Sequence, residues 1–324
     1  MLAAIQLQGP VATAILAALV LGLLLVDLRI FGRRREPSFR EGAAWSVGWL
    51  VLSLLMAVPV LLLDSADAAI NYTTVYLIER SLSLDNLFVF LLLFSYFGVP
   101  MELRRKVLFW GIVAALILRG LAILGGVALL EQFHFVVYVL GVMLLYLAYR
   151  ILRGVDENVD PDKNVLVRLT RKLFPVTDDF RNGHWFVVED GRRHATPLLV
   201  ALASVMFADI AFATDSIPAA FAITRESLII WMGNAFSLLG LMALFVLVEG
   251  LIRRFRYLDE TIAVVLALVA VKLLLEDLVK VGPVVSLAIV VVAFAVGIVA
   301  SLIADRRDPE SGKKQERRAE RTAG

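Results

Sequence analysis

Two acidic segments decide the fold class of this chain: Glu79-Arg-Ser-Leu-Ser-Leu-Asp85-Asn86 and Asp209-Ile-Ala-Phe-Ala-Thr-Asp215-Ser216. In each, two carboxylates stand six residues apart, and an amide or hydroxyl side chain follows the second. Both segments lie inside apolar stretches that are long enough to cross a bilayer. A carboxylate at the centre of a membrane helix costs roughly 2.5–3.5 kcal/mol on insertion scales. Protons, metal ions or buried Arg and Lys must therefore compensate these acids, and the first two indicate transport.

The composition also indicates a membrane protein. Hydrophobic residues make up 60% of the 324 residues, and the mean hydropathy is +0.83. Apolar stretches of membrane-spanning length recur about nine times. They are residues 11–27, 43–63, 75–97, 107–130, 133–152, 197–222, 228–252, 261–278 and 283–304. We predict an all-α fold, a polytopic membrane bundle of about nine transmembrane helices.

Basic residues set the predicted orientation. Most of the 32 Lys and Arg fall in loops that are cytoplasmic if the N-terminus lies outside and the C-terminus inside. The net charge of +2 therefore conceals a cationic inner face. We interpret that face as a topology determinant and not as a nucleic-acid surface.

The chain divides into three predicted parts. Residues 1–304 form a transmembrane transporter domain, with a cytoplasmic loop at 154–195 inserted in it and a disordered tail at 305–324. The loop contains an amphipathic stretch at 165–174, and apolar alternation around Asp190-Gly191 predicts a hairpin. Such a loop can dock membrane-protein partners or cover the inner mouth of a transporter.

The two acidic segments also form a weak internal repeat. They share their spacing, and they fall on the third and sixth predicted helices, which run in opposite directions. This arrangement is typical of inverted-topology repeats, in which transporters hold the substrate near the membrane midplane. We therefore expect an inverted repeat.

Helix geometry restricts how these acids can bind an ion. Six residues span about 9 Å of rise and about 240° of rotation, so the acids of one unbroken helix cannot hold one ion. A metal site must draw on both segments, with Asp85 and Asp215 as the natural central pair. The predicted metal ligands are Glu79, Asp85, Asn86, Asp209, Asp215 and Ser216. This all-oxygen set suits Mn²⁺, Mg²⁺ or Ca²⁺ and does not suit Cu⁺ or Zn²⁺.

A purely structural role for the acids is the alternative interpretation. Arg119 and Lys272 also lie within apolar stretches and can neutralise carboxylates internally. Glu79 and Arg80 are expected near the outer boundary, where an interfacial ion pair competes with an ion path. Asp27, beside arginines at the cytoplasmic boundary, is most simply structural.

Other metal chemistries find few ligands in the sequence. The chain has no cysteine, which excludes disulfides and thiolate ligands. The three histidines, at 134, 184 and 194, lie at predicted helix ends or in the loop. We expect no tightly bound cofactor, only a transported cation.

The sequence resembles the TerC/Alx family, which is named for tellurium resistance. The resemblance rests on Ile78-Glu-Arg-Ser-Leu-Ser-Leu-Asp-Asn-Leu-Phe-Val-Phe90 and Ala208-Asp-Ile-Ala-Phe-Ala-Thr-Asp-Ser-Ile-Pro-Ala219. It implies a multi-pass protein of the bacterial cytoplasmic membrane, in the LysE transporter superfamily and associated with Mn²⁺ export. The acidic positions carried over from the family motifs are Glu79, Asp85, Asp209 and Asp215.

We therefore predict a secondary transporter, not an enzyme, that exports a divalent cation, with Mn²⁺ favoured, in exchange for protons. Protons can occupy the same carboxylates when the metal leaves. Three alternatives stay open: a membrane scaffold that assembles other membrane proteins, a tellurite resistance determinant, and an intramembrane aspartyl protease. The chain lacks the Tyr-Asp and Gly-x-Gly-Asp motifs of intramembrane aspartyl proteases. The tellurite role fits poorly, because an oxyanion would not bind to a site with four carboxylates.

Overall fold

The computed structural model describes residues 18–23, 25–27, 39–125, 134–153, 175–189, 191–252, 257–275, 277–279 and 281–307. The described chain is almost entirely helical, which confirms the predicted all-α polytopic fold. Its helices are α1 (Phe39–Leu55), α2 (Ala57–Leu63), α3 (Ala66–Tyr96), α4 (Met101–Gly125), α5 (Phe135–Leu152), α6 (Pro197–Ile223), α7 (Ser227–Leu238), α8 (Leu241–Ile252), α9 (Leu258–Leu274) and α10 (Pro283–Arg307). Residues 18–23 and 25–27 are helical as well.

The predicted apolar stretches coincide with these helices over most of their described residues. Among the described residues, four helical segments are long and apolar enough to cross a membrane: Phe39–Leu63, Met101–Gly125, Pro197–Ile223 and Ser227–Val248. Shorter apolar helices include Phe135–Tyr149, Ala263–Leu274 and Ala288–Ala304. Helix α3 has 31 residues and carries the first acidic segment near its middle.

The outer faces of the bundle are apolar. Large aliphatic side chains such as Leu62, Leu124 and Val296 are exposed there. A soluble protein seldom exposes a continuous apolar surface of this extent, whereas a bilayer provides an apolar solvent for it. The exposed side chains are therefore those of an integral membrane protein.

Helix packing in the bundle supports the predicted repeat. Helix α3 packs against α6 and α7, and α6 packs against α3 and α4. Helices α5 and α9 pack together, while α5 also contacts α6 and α9 contacts α3. Exchanging α3, α4 and α5 for α6, α7 and α9 maps the α3–α7 pair onto α4–α6 and the α5–α6 pair onto α3–α9, and it leaves α3–α6 and α5–α9 unchanged. Such two-fold pairing is what a repeat of three helices predicts.

The predicted hairpin is present. Strands β1 (Phe186–Glu189) and β2 (Arg192–Ala195) pair antiparallel, and Glu189 lies opposite Arg192. Gly191 has φ +74° in the turn, a conformation that favours glycine. Lys106 of α4 donates to the Gly183 carbonyl at 2.8 Å and so ties the segment before β1 to that helix. The predicted amphipathic stretch at 165–174 lies outside the described residues, as do residues 308–324 of the predicted disordered tail, whereas residues 305–307 belong to α10.

Candidate functional site

One buried arginine joins the two acidic segments. Arg119 of α4 donates from Nη1 to Glu79 Oε2 at 2.7 Å and from Nη2 to Asp209 Oδ1 at 3.0 Å. Its Nε donates to Asp209 Oδ2 at 3.3 Å. Glu79 lies on α3 and is 1% exposed, and Asp209 lies on α6 and is 2% exposed. The two acids that are first in each segment therefore meet through one guanidinium.

A fourth helix completes this arrangement. Arg119 Nη1 also donates to Asn234 Oδ1 at 2.7 Å, and the Asn234 amide in turn donates to the Ile230 carbonyl at 3.1 Å. The preceding residue, Gly233, lets α7 approach α3, because a Cβ there would lie 2.5 Å from Val75 Cγ1. We call Glu79, Arg119, Asp209 and Asn234 the Arg119 cluster. Four helices meet in it.

Two oxygen atoms at the Arg119 cluster, one of them from the neighbouring Ser216, lack hydrogen-bond partners among the described residues. Glu79 Oε1 and Ser216 Oγ are both buried, and neither has a hydrogen-bond partner among the described residues. The Ser216 hydroxyl lies beside the Glu79 carboxylate without meeting hydrogen-bond geometry. Buried polar atoms are nearly always bonded, so an unpaired neighbouring pair indicates a position for a proton or a small ligand.

The second acid of α6 has a different surrounding. Lys272 Nζ of α9 lies 3.2 Å from Asp215 Oδ2, and the two side chains are 17% and 39% exposed. A partly exposed charge within a membrane helix is tolerated where it faces a polar cavity. Asp215 and Lys272 thus form a pair that is less enclosed than the Arg119 cluster.

The predicted ligands are only partly brought together. Glu79, Asp209 and Ser216 lie near one another, whereas Asp215 pairs with Lys272. Asn86 is buried on α3, and the Asp85 side chain lies outside the described part of the structure. Among the described residues, no group of three or more His, Asp or Glu side chains is arranged to hold a metal ion. The six-residue ligand set, with its central Asp85–Asp215 pair, therefore stays a prediction.

The structure does not pair Glu79 with Arg80, which was one of the two interpretations that the sequence left open. Both residues are buried near the middle of α3, and they serve different neighbours, because consecutive helix residues project about 100° apart. Arg80 Nη1 donates to the carbonyls of Ser237 and Leu239 at 2.8 and 3.0 Å. It thus satisfies the carbonyls at the end of α7.

Sequence reasoning missed Asn234 and the helix break at Gly240, and it did not identify the partner of Asp27. Asn234 was overlooked in its apolar stretch, although an amide inside a membrane helix is itself a signal. Asp27 Oδ1 accepts a hydrogen bond from Trp49 Nε1 at 2.8 Å, and both residues are buried. The helix break between α7 and α8 lies at Gly240, which has φ +76° and leaves no room for a Cβ beside Trp49.

Comparison with known proteins places this arrangement in a family. The model of the Integral membrane protein TerC family matches residues 64–309, which include both acidic segments. The chain belongs to the TerC family. Membership confirms the resemblance that the two motifs suggested.

Curated relatives of this TerC family member cover most of its length. A membrane protein of Myxococcus xanthus is 40% identical over 295 residues, which span 91% of this chain and 92% of that protein. Alx of Escherichia coli K12, a membrane-bound protein named as a redox modulator, is 39% identical over 285 residues, spanning 85% and 88%. The membrane protein Mb2742 of Mycobacterium bovis is 37% identical over 265 residues, spanning 80% and 67%. No solved structure matches the chain.

Proposed function

We propose that this TerC family protein is a secondary transporter that exports a divalent cation, with Mn²⁺ as the expected cargo, in exchange for protons. One observation carries the proposal: the Arg119 cluster contains two buried carboxylates and one guanidinium. A net negative charge inside a membrane is costly, so the cluster favours uptake of a further cation or a proton.

The chemistry of the available donors supports a hard divalent cation. Glu79 Oε1 and Ser216 Oγ are buried oxygens with no described partner. Asp85 and Asn86, the other predicted ligands of α3, lie about two turns further along the same helix. Carboxylate, amide and hydroxyl oxygens match the preferences of Mn²⁺, Mg²⁺ and Ca²⁺.

Proton exchange follows from the same carboxylates. When the metal ion leaves, a proton can take its place and limit the buried charge, so both occupied states are tolerated in the membrane. Asp215, partly exposed beside Lys272, provides a step between the cluster and water. The expected location is the bacterial cytoplasmic membrane, with the N-terminus outside and the C-terminus in the cytoplasm.

Mn²⁺ uptake into everted membrane vesicles tests this function, because uptake there corresponds to export from the cell. Asp85→Asn and Asp215→Asn should abolish uptake at matched protein level, and Glu79→Gln should reduce it less. Asp67→Asn is the matched control, since it removes an exposed acid from the first turn of α3. Wild-type uptake by both Asp85→Asn and Asp215→Asn would refute the binding role, and loss of insertion in both would favour a structural one.

A membrane scaffold is the second candidate, and the hairpin favours it. Phe186 and Val188 alternate along β1 and are 59% and 69% exposed. An apolar strand face outside the helices suits docking of another protein. The scaffold predicts no cation flux, and it predicts that deletion of residues 162–194 causes the dominant defect.

The name of Alx raises redox modulation as a role. This chain has no cysteine, so thiol chemistry cannot carry such a role here. A change in cellular Mn²⁺ would be an indirect route to redox modulation, and the vesicle assay tests the Mn²⁺ transport on which that route depends.

A further inference from the structure

Arg119 contacts the two acidic segments unequally. Both oxygens of Asp209 accept hydrogen bonds from it, one from Nη2 and one from Nε. Only Oε2 of Glu79 accepts one, while Oε1 has no described partner. A guanidinium bound to both oxygens of a carboxylate is the stronger and more directional pair. Within the Arg119 cluster, Asp209 therefore holds Arg119 more strongly than Glu79 does.

We propose that Arg119 is a resident counter-ion that stays on Asp209 and releases Glu79 when the transported cation binds. This inference rests on the proposed function and deepens it. It assigns Asp209 as the anchor of Arg119 and places Glu79 on the metal-facing side, together with Ser216. The predicted ligand set then loses Asp209.

Charge requires the release. An arginine stays protonated in proteins, so it cannot lose its charge to make room for a metal ion. Two positive ions sharing the Glu79 carboxylate would repel each other strongly where little water screens them. The guanidinium must therefore move away from Glu79 as the cation arrives.

Asn234 provides a hydrogen-bond acceptor that the guanidinium keeps after it releases Glu79. Arg119 Nη1 donates to Asn234 Oδ1 at the same distance, 2.7 Å, as to Glu79 Oε2. When the Glu79 contact is lost, Nη1 keeps a partner, and the Asp209 bonds persist. Release of Glu79 thus leaves few new unpaired donors in the buried interior.

A resident counter-ion has two consequences for transport. The empty carrier keeps Arg119 between its two first acids, so one of their two negative charges stays compensated without cargo. The cation must also compete with Arg119 for Glu79, which weakens cation binding. Weak binding favours release, as an exporter needs.

Titration calorimetry of Mn²⁺ into the purified full-length protein tests the proposal. The double variant Arg119→Gln/Asp209→Asn removes one charge of each sign and leaves Glu79 and Ser216 in place. We expect it to bind Mn²⁺ at least tenfold more tightly than the wild type, because no cation competes for Glu79. Unchanged or weaker binding by a folded double variant would overturn the proposal, since either result would show that Asp209 is a ligand or that Arg119 does not compete.

Two further variants keep this test decisive. Arg80→Gln removes a buried arginine whose hydrogen bonds in the described structure go to the backbone carbonyls of Ser237 and Leu239, and it should change Mn²⁺ affinity less than twofold. Arg119→Lys keeps the charge but loses the two-pronged contact with Asp209. We expect a smaller tightening with this variant, and weaker binding would contradict the proposal even if the double variant did not fold. Absence of Mn²⁺ binding by the wild type would instead refute the proposed function itself.

Discussion

Two ion pairs on α6, six residues apart, have opposite characters. Asp209 is buried and holds Arg119 through both carboxylate oxygens. Asp215 is 39% exposed and meets Lys272 through a single contact of 3.2 Å. A buried pair cannot lose one partner without leaving an uncompensated charge, whereas an exposed pair can replace its partner with water. The first pair is therefore suited to a fixed role, and the second can exchange its partner more easily.

The largest expected effect comes from removing the shared cation of the buried pair. Arg119→Met leaves Glu79 and Asp209 uncompensated, and it should lower the free energy of unfolding by about 3–5 kcal/mol. Thermal unfolding of the purified protein in detergent measures the change. A loss below about 1 kcal/mol would mean that the Arg119 cluster behaves like the exposed pair.

The two acids of the Arg119 cluster should differ in their contributions to stability. Asp209→Asn replaces a carboxylate that accepts two charged hydrogen bonds, and it should cost about 1.5–3 kcal/mol. Glu79→Gln keeps an acceptor for Arg119 Nη1 and should cost less, about 0.5–1.5 kcal/mol. Side-by-side unfolding of both variants checks the order. The reverse order would show that Glu79 holds Arg119 more strongly than Asp209 does.

The close approach of α7 to α3 offers a change that leaves all charges in place. Gly233→Ala would bring a Cβ within 2.5 Å of Val75 Cγ1 and 3.1 Å of the Tyr76 backbone nitrogen. Such overpacking should cost about 1–3 kcal/mol and displace Asn234 from Arg119. Gly48→Ala on α1 is the control, because a Cβ there meets nothing within 4 Å. Equal unfolding temperatures for the two variants would contradict tight packing at this contact.

The exposed pair should give the smallest change in stability. Lys272→Gln removes a cation from a partly exposed pair and should cost less than about 1 kcal/mol. Its unfolding should also respond less to added salt than that of the wild type, since exposed pairs are screened. A loss as large as that of Arg119→Met would erase the distinction between the two pairs.

Sequence reasoning predicted the helices and the hairpin better than the contacts between side chains of different helices. Hydropathy located the membrane helices, and Asp190-Gly191 predicted the hairpin. Arg119 and Lys272 were also recognised as bases that can neutralise acids within the membrane. Which acid each base contacts depends on the packing of distant helices: Arg119 and Asp209 are 90 residues apart, and Lys272 and Asp215 are 57 apart.

The same limitation explains the interactions that sequence reasoning missed. Glu79 and Arg80 are neighbours in the chain, which suggested a pair, but helical rotation directs them to different helices. The role of Asn234 depends on α3 and α4, which pack beside it, and that of the break at Gly240 depends on Trp49 of α1. Hydrophobic periodicity describes one helix at a time and carries no information about these neighbours.

Proton-driven Mn²⁺ flux in proteoliposomes tests the central claim most directly. With purified protein and an imposed proton gradient, Mn²⁺ should move against the direction of proton flow. Ca²⁺ and Mg²⁺ should compete more weakly, and Asp215→Asn should abolish the flux. Absence of Mn²⁺ flux under every gradient would contradict the transporter and favour the scaffold. Mn²⁺ flux that ignores the proton gradient would keep the transporter and refute proton exchange.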